Sequence, residues 1–327
     1  MLGFLSGCST ELDVNAPYKE VKVIYALLDP REPFQTVRIS KGFQNEGRSA
    51  EDIARNSPDS SLYGPGILKV ELLEVAKNGQ IRRAFVLNDT IISPKDSGLF
   101  YYPEQLVYKS PDFKIDSTVN YKVRVTNTRT GSISEASTSF VGRKLRIISP
   151  IQDNPSDPLT LAFSSTRNTE LRLERFSGGA VMQAYLHWNI RTFTSPTEFY
   201  DEVWSWNAPN ELSFNNDADN QARGFFAPAA FWNFLRREAD ARGGATVFGR
   251  KIQNAWIEVV GASTEYKTYR EVFNNYNSLT QSLPYYTNVS NGLGVVAFRN
   301  GGTFPLQLDN ASADSIPLRV PQFKIIK

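Results

Sequence analysis

The chain has 327 residues, a length that suits two domains because single hydrophobic cores stop growing below it. Its 36 basic and 34 acidic residues leave a formal net charge of +2, with no concentrated basic face of the kind nucleic acid requires. A single cysteine, Cys8, and a single histidine, His187, exclude an intramolecular disulfide, a thiolate cluster and a multi-histidine metal centre; no run of about 18 apolar residues is present to form a membrane-spanning helix.

Residues 1–8 read Met-Leu-Gly-Phe-Leu-Ser-Gly-Cys. An apolar stretch ending in small side chains is the tail of a secretory signal, whose peptidase needs small residues at its cut. Leu5, Ser6, Gly7 and Cys8 together resemble the bacterial lipobox, in which the cysteine is diacylated and becomes the mature first residue. That resemblance implies lipidation at Cys8 and a membrane as partner, held by acyl chains at about 0.8 kcal/mol per buried methylene. The basic segment and most of the apolar core of such a signal are missing, so it is expected to begin roughly a dozen residues further upstream. Residues 9–18 are expected to form a polar tether.

Residues 19–142 carry strand signals. Val21, Val23, Tyr25 and Leu27 alternate with a second face. Leu68, Val70 and Leu72 alternate with Lys69 and Glu71, and Tyr121, Val123 and Val125 with Lys122 and Arg124. Period-two alternation with charged outward positions predicts strands wet on one side. Asn78-Gly79 and Thr130-Gly131 fall between apolar runs, where hairpin turns need a positive φ. The expected fold is mainly β, an antiparallel immunoglobulin-like or prealbumin-like sandwich. The polar stretch 44–66, with Pro58 and Pro65, reads as a long loop with a short helix near Ala50 to Arg55, either a partner contact or a surface insertion.

A turn-rich segment over 142–158 marks a boundary, and residues 143–327 are expected to form a β-rich α+β domain with two helices. All five tryptophans lie there. Strands are predicted at 159–163, 171–175, 181–193, 255–260 and 293–298. Ala227, Ala230, Phe231, Phe234 and Leu235 repeat at helical spacing behind Pro228, with Gly243-Gly244 as a stop. Tyr266, Tyr269, Phe273 and Tyr276 repeat likewise after Ser263, an expected N-cap.

Several segments resemble uncharacterised outer-membrane lipoproteins of the Bacteroidetes. They are 25–30 (Tyr-Ala-Leu-Leu-Asp-Pro), 36–43 (Thr-Val-Arg-Ile-Ser-Lys-Gly-Phe), 59–63, 121–125 and 286–294, which ends Asn-Gly-Leu-Gly. The resemblance spans most of the chain and implies an envelope location and a body without an assigned activity.

The search for chemistry is mostly empty. His187 sits on the polar side of a strand and reads as an exposed surface histidine. No Gly-x-Ser-x-Gly elbow or phosphate-cradling loop occurs. Glu198, Asp201 and Glu202 cluster beside Trp204 and Trp206, an arrangement that can serve a sugar site, since aromatic faces stack on sugar rings and carboxylates accept their hydroxyl protons. The plainer alternative is a helix turn with its acidic side in water and its tryptophans in a core. The polar run 215–220 lacks the ligand spacing of a calcium loop. No cofactor or metal is called for. The reading is a membrane-anchored, non-catalytic binding or assembly module that docks on another envelope protein, with glycan binding or nutrient capture as the alternative.

Overall fold

The computed structural model describes residues 20–42, 62–92, 105–142, 146–154, 156–207, 211–214, 220–243, 247–274 and 285–323. The lipobox with Cys8, the tether and most of the 44–66 loop lie outside the described residues. The fold is mainly β, as expected.

The first half supplies β1 (Lys22–Leu28), β2 (Thr36–Lys41), β3 (Leu68–Val75), β4 (Ile81–Ile92), β5 (Gln105–Lys109), β6 (Asn120–Asn127) and β7 (Ile133–Thr138). The twelve-residue β4 links two sheet segments: residues 81–87 pair with β3, and residues 88–92 pair with β5. The order then runs β1–β2–β5 on one side of it and β3–β6–β7 on the other. Alternation in β3 and β6 does what their patterns predict: Leu68, Val70, Leu72, Tyr121, Val123 and Val125 are all buried. The Gly79 and Gly131 turns have φ values of 85° and 72°, the left-handed conformation inferred for both hairpins.

The second half supplies β8 (Ile147–Ser149), β9 (Leu159–Leu161), β10 (Thr169–Glu174), β11 (Val181–Phe193), β12 (Phe199–Trp206), β13 (Gln221–Phe226), α1 (Pro228–Ala241), β14 (Gly249–Ala262), α2 (Thr264–Asn274), β15 (Val289–Ser290), β16 (Gly292–Leu308) and α3 (Asn310–Arg319). Strands β12–β11–β14–β16 are adjacent, while β13–β10–β8 form a separate three-stranded sheet. Helix α1 begins with Pro228 and buries Phe231, Trp232, Phe234 and Leu235. Its C-terminal carbonyls are met by the buried Arg250 of β14, whose guanidinium donates to Ala239 O at 3.2 Å and Arg242 O at 2.7 Å. A cation there complements the negative end of the helix dipole.

Two strands tie the halves together, β15 by pairing antiparallel with β7 and β16 by a longer bridge. Residues 292–298 of β16 run parallel to β1, and residues 299–306 run antiparallel to β14. The large sheet is therefore mixed, where a purely antiparallel arrangement of the first half was expected. Alternation reports which side of a strand is buried and is silent about its neighbour, so a partner 270 residues away leaves no periodic trace. In β1 the buried side is Lys22, Ile24, Ala26 and Leu28, while Tyr25 and Leu27 face the opposite way.

Three further differences have local causes. The segment 199–206 is a strand, since its tryptophans recur at spacing two, which suits a pleat and not a helical turn. Ser263 precedes α2, but its hydroxyl accepts the N–H of Phe298 at 3.2 Å and is committed to β16. Helix α3 is an addition to the two expected. Pro317 inside it argues against a helix, yet Asp309 caps it by accepting from Ser312 N at 3.0 Å.

Candidate functional site

The acidic–aromatic cluster does not assemble. Successive side chains on β12 point to opposite faces of the sheet, so Asp201 and Glu202 diverge. Asp201 lies on the outer face, where Arg191 grips it with two hydrogen bonds of 2.8 Å. Glu202 lies on the other face, 3.1 Å from Arg242 and within reach of the Thr192 hydroxyl at 3.3 Å. Glu198 precedes the strand and spends its backbone N–H on Ser195 Oγ at 3.0 Å. Trp204 and Trp206 are 0% and 7% exposed, packed in the core, so neither ring face is open to a sugar. The tryptophans belong to the core, as the plainer alternative held, although the local structure is a strand and not a helix turn.

The polar machinery sits instead on the outer face of β11, β14, β16 and β1. In β11, Gln183, Tyr185 and His187 stand opposite Val260, Glu258 and Trp256 of β14; Glu258 in turn stands opposite Thr303 of β16. At the end of β1, Asp29 is buried and held by two guanidiniums. Arg31 approaches it at 2.8 Å and Arg299 of β16 at 2.7 Å. Arg31 also reaches Glu258 at 2.6 Å. Burial by itself would raise the Asp29 carboxyl, but the hydrogen bonds and charges of Arg31 and Arg299 outweigh it and hold the group below its ordinary value.

This network crosses from β1 to β14 and β16, so its removal has a stability readout. Asp29→Asn is expected to cost about 2 kcal/mol, less than a fully buried pair because both guanidiniums reach water. Because the folded-state value lies below the unfolded one, the contribution is complete above about pH 4 and is lost as pH falls through the folded value. Urea unfolding from pH 7 to pH 3 checks both parts: the acid limb of the wild type should be steeper than that of the variant.

His187 departs from its expectation. Its side chain is only 16% exposed, because its ring stacks on Trp256 with centroids 5.1 Å apart and planes 21° from parallel. Its Nδ1 lies 2.8 Å from Ser205 Oγ, and its Nε2 lies 3.6 Å from the Glu258 carboxylate. Burial pushes the imidazole below its ordinary value against the pull of Glu258, so the ring is neutral at pH 7.

Beside this network, between the outer face and α2, lies a cavity of about 220 Å³. Leu27, Val181 and Val260 are among its aliphatic lining, and Tyr185, Tyr266 and Glu258 among its polar lining. A signal for this site exists in the sequence: Glu258 interrupts the apolar run 255–260, which reads as a buried strand, and the alternating polar residues of β11 match it. Among the described residues no three potential metal ligands of the His, Cys, Asp or Glu type are grouped. The 215–220 run lies, apart from Asn220, outside the described residues. No family model matches the chain, and no curated protein matches it.

Proposed function

We propose that the chain is a lipid-tethered binding module of a bacterial envelope, held by acyl chains on Cys8, which docks another envelope component through the outer face of β12, β11, β14 and β16. The observation that carries this reading is the pre-paired polar surface of that face. Asp29, Arg31, Glu258 and Arg299 are fixed by one another, as are Arg191 and Asp201, in geometry that needs no rearrangement on contact. Pre-organised side chains lose little entropy on docking, which favours recognition. Around them Val203, Asn254 and Thr303 are exposed.

Photo-crosslinking residues placed at Val203 and Asn254 in intact cells test the docking face, with the exposed Lys69 of β3, outside that face, as control. Crosslinks to one membrane component from the first two positions alone support the reading; equal labelling from all three, or none, overturns it. The tether has its own test. Cys8→Ala is expected to move the chain from the particulate to the soluble fraction, because every acyl attachment depends on that thiol. Ultracentrifugation of lysed cells reads the shift, and retention of the variant in the particulate fraction would refute the anchor.

A glycan reading is favoured by one residue outside the original cluster: Trp256, the one tryptophan that is not buried, lies on this same face against His187.

A further inference from the structure

The geometry points to a binding site for one neutral pyranose unit in the cavity between α2 and the outer sheet face. The inference rests on the reading of that face as a recognition surface and adds to it a ligand class.

Three observations select the class. The first is size. About 220 Å³ falls below the roughly 300–1,000 Å³ typical of sites for drug-sized ligands, so the cavity takes a single ring and no more. The second is charge. Arg299 is engaged by Asp29, and Arg31 by both Asp29 and Glu258. The charged lining groups Arg299 and Glu258 are thus already matched, by Asp29 and Arg31 beside the cavity. A charged ligand would have to break one of these partly desolvated pairs, whereas a neutral one leaves them whole. The third is the distribution of lining groups. Leu27, Val181 and Val260 line it with aliphatic groups, and the Tyr185 and Tyr266 rings with their hydroxyls and the Glu258 carboxylate line it beside them. Tyr185 Oη donates to Gln183 Oε1 at 3.0 Å, which leaves its lone pairs to accept from a ligand hydroxyl. A pyranose offers both kinds of partner, with C–H groups for the aliphatic side chains and hydroxyls for the tyrosines and carboxylate.

The site also carries a reporter. His187 lines the cavity and stacks on Trp256, while Trp188, Trp204, Trp206 and Trp232 are buried at 7% exposure or less. Occupancy beside His187 alters the surroundings of Trp256 and leaves the other four indoles untouched.

The full chain is titrated with the methyl pyranosides of glucose, galactose, mannose and N-acetylglucosamine, and with acetate and methylammonium as ionic probes. Tryptophan fluorescence and ligand-observed NMR follow binding. At least one pyranoside is expected to saturate both signals, with an affinity on the order of 1 mM for so small a contact. Trp256→Phe should abolish the fluorescence change and keep the NMR signal. Val260→Phe, which fills the cavity, should weaken binding at least about tenfold; should it fold poorly, Tyr185→Phe, which removes one hydroxyl, should weaken it about threefold. The proposal is overturned if no pyranoside saturates, if folded Val260→Phe and Tyr185→Phe proteins both bind as the wild type does, or if the ionic probes bind more tightly. A chain that crosslinks to an envelope component through the outer face yet ignores every pyranoside loses the saccharide site and keeps its docking function.

Discussion

Gly294→Ala is expected to destabilise the protein by at least about 3 kcal/mol. Gly294 has φ of 107°, a backbone conformation that L side chains rarely adopt. A Cβ added there would also meet the carbonyl of Ile24, in the adjacent strand β1, and a strand backbone cannot move aside as a flexible side chain can. The substitution therefore combines local strain with separation of β16 from β1, the longer of the two strand pairings that join the halves of the molecule. Gly79→Ala is the matched control. Gly79 also has positive φ, at 85°, but nothing lies within 4 Å of its added Cβ, so strain alone acts, at about 1 kcal/mol. Chemical denaturation of both variants measures the difference. Equal losses would mean that the close approach of β16 to β1 contributes nothing.

Trp206→Ala is expected to cost about 3–5 kcal/mol, the range for deleting a large buried aromatic. Its ring contacts four phenylalanines: Phe163, Phe226, Phe231 and Phe234, with centroid distances between 5.8 and 6.1 Å. These rings come from strand β13, helix α1 and the segment following β9, so the cavity left behind would open where three elements meet and could collapse only partly. The same variant separates two readings of the tryptophan cluster. A sugar platform would lose ligand and keep its melting temperature, whereas a core residue does the reverse. A Trp206→Ala protein as stable as the wild type would contradict the packing described here.

Much of the fold could be read from residue patterns, and the reason differs by element. The alternation of Met182, Ala184, Leu186, Trp188 and Ile190 predicts β11 over residues 181–193, the same bounds the structure has. Phe231, Phe234 and Leu235 behind Pro228 predict α1, because a helix buries a stripe at its own period. The candidate site was less legible. Glu198, Asp201 and Glu202 are neighbours in the chain and diverge in space, since the strand separates consecutive side chains by its pleat. Asp29, Glu258 and Arg299 are far apart in the chain and converge, because three strands of the mixed sheet set them side by side.

Sequence alone determined which segments could be strands or helices and which side of each would be apolar, because those properties depend on residues a few positions apart. It also carried the lipobox resemblance at Cys8, a local motif read by enzymes before any fold exists. Only the tertiary structure decided that β16 would bridge both halves, that Trp204 and Trp206 would be enclosed, and that His187 and Trp256 would share one face with the cavity beside α2. Those outcomes depend on which strands pair, and pairing is settled by the free energy of the whole packed sheet, to which residues hundreds of positions apart contribute together.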